Sequence, residues 1–184
     1  MNTLVLAIIL NLRAAELESR QLTHYVPQDL LEKAVRTEGW TEIPLAVKGG
    51  TRKGDIVRIW SGGLIDAGND ADQPGLNVHG PNGPGGIRIG PENRRFPVDL
   101  SKMVLSQKPE DAFAVFVKTE GPEMRKCATP GKPLEIKLTK DKEKLFIGFN
   151  DEKGRYADNH LGKGKRHELD PLWMRVEVVR ITVD

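Results

Sequence analysis

Glycine and proline sit mostly between the apolar runs of this chain, and that punctuation limits its fold more than any other feature. With 19 Gly and 12 Pro in 184 residues, the runs stay at strand length, because proline cannot donate to a sheet ladder and glycine marks turns. Ala112 to Lys118, Leu134 to Leu138, Lys144 to Asn150 and Trp173 to Val183 each read as strands. Ala112 to Val117 is apolar throughout, as in a strand buried on both faces. Met174 to Ile181 mostly alternates, as in a strand with one wet face. Upstream, Ile43 to Val47 alternates, and Asp55 to Trp60 reads as a strand that stops at Ser61-Gly62-Gly63. About eight strands and no strong long helix predict an all-β fold, an antiparallel β-sandwich of jelly-roll type.

Three stretches interrupt this pattern. Pro27 to Val35 has helical spacing, with Leu30, Leu31, Ala34 and Val35 on one face, yet Lys33 to Thr37 also alternates as a strand. Residues 66–99 form a long Gly- and Pro-rich irregular stretch, in which only Ile87-Arg88-Ile89 hints at a strand; such loops are commonly functional or disordered. Leu4 to Leu10 is too short to span a bilayer. It has the length of a signal-peptide core ending near Arg13-Ala14-Ala15, without the usual basic residues ahead of it. Secretion or a periplasmic location is slightly favoured over a cytoplasmic one, with a buried strand or a misplaced start as the rivals. The division expected is an N-terminal extension over 1–32 and one β-sandwich domain over 33–184.

Composition excludes several function classes. A net charge of +2 gives no general polyanion signal, and Lys163-Gly164-Lys165-Arg166-His167 lacks the interleaved aromatics of a nucleic-acid platform. The lone Cys127 rules out an internal disulfide and a cysteine-based zinc site. No transmembrane segment, P-loop, Gly-x-Ser-x-Gly elbow or His-Glu-x-x-His run is present.

The chemistry concentrates between Phe149 and His160. Asp151, Asp158 and Asn159 offer side-chain oxygens on either side of Gly154, where the backbone can reverse. Hard cations such as Ca²⁺ take about 6–8 oxygens from carboxylates, amides, carbonyls and water. An ordinary turn uses the same residues, so composition alone leaves both readings open. An EF-hand is excluded, because Lys153 and Arg155 fall at its third and fifth positions and Gly162 at its twelfth.

Four pieces, in this order, resemble the soluble calcium-dependent bacterial galactose lectins (PA-IL-like). Trp40 to Val47 is similar to that family's Trp-Thr-Asp-Thr-Gly-Ile-x-Val, and Gly54 to Gly63 to its Gly-Asp-x-Val-x-Ile followed by small residues. Ala114-Val115-Phe116-Val117-Lys118 is similar to its central Ala-Leu-Val-x-Lys strand, and Asn150 to Asn159 to its Asn-Asp-x-x-Gly-x-Tyr-x-Asn/Asp-Asn loop. The resemblance spans about residues 33–183 and implies a galactose-binding-domain-like sandwich holding Ca²⁺. Carried over by position, Asp151, Asp158 and Asn159 ligate by side chain, and Arg155 and Ala67 by carbonyl. In the family two adjacent sugar hydroxyls complete the coordination, with Asp151, Asp158, Glu152 and His79 as the sugar contacts implied here. The family's His-Pro-Asp-Gln-Gly stretch is not recognisable, the nearest string being Asp72-Gln73-Pro74-Gly75-Leu76. Residues 163–171 are also an insert.

The reading that follows is a non-enzymatic, calcium-dependent carbohydrate-binding module for galactose-type sugars, with homo-oligomers allowed. The contrasting reading is a structural or interaction β-sandwich without sugar binding. Paired carboxylates for glycoside hydrolysis would need two of Asp66, Asp70, Asp72 and Asp151 at working distance, and nothing in the sequence places them so.

Overall fold

The computed structural model describes residues 18–67, 78, 79, 81, 99–127, 131–161 and 171–182. Leu4 to Leu10, Ile87 to Ile89, Asp70, Asp72 and the 163–170 segment lie outside the described residues. Strands are numbered in chain order: β1 (Glu18–Tyr25), β2 (Thr41–Ile43), β3 (Ile56–Gly62), β4 (Ile65–Ala67), β5 (Val78–His79) and β6 (Val115–Lys118). They continue with β7 (Met124–Lys126), β8 (Leu134–Lys137), β9 (Leu145–Phe149), β10 (Asn159–Leu161) and β11 (Trp173–Thr182). All strand pairing between them is antiparallel, in sheets ordered β1-β11-β3-β8, β2-β9-β6-β7 and β10-β4-β5.

The two four-stranded sheets share one core. Val57, Ile59, Met174, Val176 and Val178 from the first sheet join Ile43, Val115, Val117, Leu145, Ile147 and Phe149 from the second. This is the expected β-sandwich. β11 alternates as its sequence predicts, with Met174, Val176 and Val178 buried and Arg175 and Glu177 half-buried between them. Ala112 to Val117 is buried throughout. The outer side of β6 and β9 is covered as well: a Cβ on Gly148 would stand 2.8 Å from the Gly39 carbonyl and 2.9 Å from Leu105. Glycine there lets a covering segment lie directly on the sheet.

Three boundaries differ from the sequence reading, each for a local reason. β2 ends at Ile43, before Pro44, which has no N–H to give a ladder; Leu45 and Val47 still pack against the core. β6 starts only at Val115, because Phe113 takes a left-handed φ of 57° and turns the chain into the strand. Pro27 to Val35 resolves as a helix, α1 (Gln28–Val35), burying Leu31, Ala34 and Val35. Pro27 leads into it with a pre-set φ, and the Pro27 carbonyl accepts from Leu30 and Leu31. Residues 18–32, read from the sequence as extension, contribute β1, paired with β11 along its whole length, and the first part of α1.

Candidate metal and ligand site

The loop from β9 to β10 is clamped from two sides. On one side Asn150, fully buried, accepts from the backbone N–H groups of Leu105 and Ser106 and donates to the carbonyls of Ser106 and Asp111. All its amide capacity is used in stapling the 105–111 segment to the end of β9, so it has a structural role. The Asp151 carbonyl accepts from Val104, and Lys153 N–H donates to the Lys102 carbonyl. On the other side α1 and its C-terminal turn supply partners. Glu38 accepts from Gly154 N–H at 3.1 Å, Arg36 donates to the Ala157 carbonyl at 2.9 Å, and Glu32 accepts from Leu161 N–H at 3.0 Å. Gly154 has φ 80°, the reversal its sequence position suggested.

Tyr156 braces the loop from within. Its buried hydroxyl lies 3.0 Å from the Phe149 carbonyl and 3.3 Å from that of Asp151, and it accepts from Asp151 N–H. Burial pushes the phenol pKa up, so the group stays a neutral donor.

Asp151 and Asn159 meet at the centre. Asn159 Nδ2 donates to Asp151 Oδ2 at 2.9 Å and to the Val35 carbonyl at 2.8 Å. Two acceptors on the nitrogen settle which way the amide faces. Its Oδ1 therefore points elsewhere, and it is buried with no partner among the described residues. Across the strand pair Asn159 faces Ala67, and His160 faces Asp66. The resemblance implies a ligating carbonyl at Ala67, and this register makes Ala67 and Asn159 neighbours.

Asp66 is the residue that sequence reasoning passed over as a ligand. It is 9% exposed, and its Oδ1 also lacks a partner among the described residues. Burial, chiefly, raises its pKa; His160 opposes the rise and Asp158 adds to it. Burial likewise drives Asp151 up to about 6, against hydrogen bonds from Asn159 and Glu152 N–H and with help from the charges of Asp158 and Glu152. Asp158 thus lies within electrostatic reach of both aspartates. Among the described residues neither Asp151 nor Asp66 meets a Lys or Arg side chain. The only available signal for Asp66 was its place at the head of the 66–99 loop.

The remaining predicted residues fall around this centre. Glu152 accepts from Asp99 N–H at 2.8 Å and its backbone bridges to Met103, so it helps hold the 99–105 segment. Arg155 precedes the short 3₁₀ turn Tyr156–Asp158 and donates its N–H to the Glu152 carbonyl. His79 lies on β5 opposite Ile65, in the sheet that carries Ala67.

No group of three or more His, Cys, Asp or Glu side chains forms a metal cluster among the described residues. The oxygens at this centre are instead a carboxylate and an amide, the kind hard cations accept and transition metals do not require. The two buried oxygens without described donors, Asn159 Oδ1 and Asp66 Oδ1, belong to adjacent pairs of the β4–β10 ladder, and each unmet acceptor costs about 1–3 kcal/mol. Cys127 is buried and its thiol is pushed up to about 12, which makes it inert. No helix among the described residues is long and apolar enough to cross a membrane. No protein-family model matches the chain, and no curated protein matches it.

Proposed function

We propose that this protein is a calcium-assisted carbohydrate-binding module that performs no catalysis. The observation that carries this reading is the buried, donorless Asn159 Oδ1, on the amide that donates to the Asp151 carboxylate. A Ca²⁺ ion would answer the Asn159 oxygen that no N–H among the described residues reaches, and Asp151, Asp158 and Asn159, with the carbonyls of Arg155 and Ala67, are the ligands proposed. When bound, the ion would supply coordination sites for two adjacent sugar hydroxyls in place of two waters. Carboxylates holding the ion can accept hydrogen bonds from those hydroxyls. Glu152 and His79 are the further sugar contacts proposed, and galactose-type sugars are the first to try.

Thermal melting of the full chain with millimolar Ca²⁺ or EGTA tests the metal. Ca²⁺ should raise the Tm of the wild type and leave Asp151→Asn unmoved, because a ligand of the native state alone stabilises it by mass action. An unchanged wild type sinks the proposal. A glycan array in Ca²⁺ then tests the sugar.

A structural domain without sugar binding is the second reading. It is favoured by the hydrogen bonds that Asp151 and Asn159 make to each other and to Glu152 N–H and the Val35 carbonyl. A calcium-dependent Tm with a blank array would support it.

A further inference from the structure

We infer that the outer face of the β1-β11-β3-β8 sheet carries a separate binding site, built on the row Tyr25–Arg175–Trp60, for a sugar ring bearing a carboxylate, the uronic-acid class. Tyr25 and Arg175 are register partners, and so are Arg175 and Trp60. Partners in an antiparallel ladder project to the same side. Met174 and Val176, the neighbours of Arg175, are fully buried in the core, so this row points away from it. The Arg175 guanidinium lies 3.9 Å from the centre of the Trp60 ring, a stack that holds the planar fork in place. Tyr25, at the end of this row, is 65% exposed. Trp173 extends the aromatic surface along β11. Its indole packs over Gly62, where a Cβ would come within 2.6 Å of the ring.

Charge selects the ligand. Arg175 has no hydrogen-bond or ion-pair partner among the described residues, and its Nε is buried unmet. The neighbouring cation, Arg58, is already held by Glu135 at 2.7 Å and Glu177 at 3.6 Å. The face therefore offers one unanswered guanidinium between aromatic rings, bordered by carboxylates. A polynucleotide asks for a track of cations along its backbone, and Glu135 and Glu177 would oppose it. A single carboxylate can take the guanidinium in a two-pronged pair. The carbon face of its sugar ring then lies on the exposed Tyr25 ring, beside the guanidinium that Trp60 holds in place.

The inference is independent of the proposed calcium loop, and the test is run in EGTA so that the loop is silent. The full chain is titrated with trigalacturonate, and with neutral galactotriose as comparator, following tryptophan fluorescence and heat. Trigalacturonate should bind the wild type and galactotriose should not. Arg175→Gln and Tyr25→Ala should each weaken binding by about tenfold or more, while Arg175→Lys, which keeps charge but loses the fork, recovers only part. Tyr25 is exposed, so Tyr25→Ala should keep the wild-type Tm and separate lost binding from lost folding. The site is overturned if trigalacturonate does not bind, if both sugars bind alike, if the variants bind as the wild type does, or if oligo-dT binds in its place.

Discussion

Two aspartates of this protein are almost equally inaccessible, Asp55 and Asp151, each 3% exposed, and their surroundings give them opposite chemistry. Asp55 accepts from Arg180 Nε at 2.9 Å and Nη2 at 2.6 Å, and from Arg52 N–H at 2.8 Å. Burial alone would raise its pKa, but the Arg180 and Arg52 contacts outweigh it and hold the carboxyl below the ordinary range. Asp151 has only an amide and a backbone N–H, so burial wins and its pKa climbs to about 6. Asp55 ties Gly50, Arg52 and β11 together through Arg180 and has every oxygen met. Asp151 is bonded by an Asn159 amide whose own Oδ1 nothing in the described protein meets. An acid with its counter-charge built in is a structural joint; one without it is the acid to which the proposed cation is assigned.

The strongest way to break this contrast is at the joint. Asp55→Ala leaves Arg180, largely buried, without its ion-pair partner, and should cost about 3 kcal/mol or more in urea unfolding, with or without Ca²⁺. A loss below 1 kcal/mol would mean that solvent reaches this pair freely.

The pH dependence of the two acids should run in opposite directions. A carboxyl whose pKa is raised on folding binds its proton more tightly in the native state. Stability from Asp151 is therefore greatest below its ordinary value of 3.8 and declines as pH rises toward about 6. Measured in EGTA, wild type should lose about 3 kcal/mol relative to Asp151→Asn across that interval. For Asp55, lowered on folding, the contribution is full above the ordinary value and is lost as pH falls through the native pKa. Parallel pH profiles for wild type and Asp151→Asn would remove the distinction.

Calcium should act on one acid and not the other. At a hundred times its Kd the ion stabilises by about 2.7 kcal/mol, and Asn159→Ala should abolish the gain while Lys126→Ala, in a separate ion pair with Asp111, keeps it. Smallest is the brace: Tyr156→Phe removes one buried hydroxyl and should cost about 1 kcal/mol, with a weaker Ca²⁺ response on titration. A Tyr156→Phe protein with full stability and response would show that the loop holds its shape without it.

Much of the fold was legible because its signals are local. Ala112 to Val117 reads as buried since every residue in it is apolar, and β11 reads as half-wet since Arg175 and Glu177 alternate with Met174, Val176 and Val178. Pro44 and Phe113 moved strand ends by backbone geometry that periodicity does not carry. β1 was hidden because its partner, β11, lies at the far end of the chain. The helix at Pro27 to Val35 stayed ambiguous until packing chose which face to bury.

The sequence by itself determined a strand-rich chain punctuated by glycine and proline, and an oxygen-rich reversal about Gly154 after a buried strand. Tertiary structure alone decided that Val35 would orient the Asn159 amide, that Asp66 would lie buried within reach of Asp158, and that Arg180 would answer Asp55 while no Lys or Arg among the described residues answers Asp151. The reason is physical: oxygen count is a property of residues, whereas an unmet oxygen is a property of what the rest of the chain brings near it.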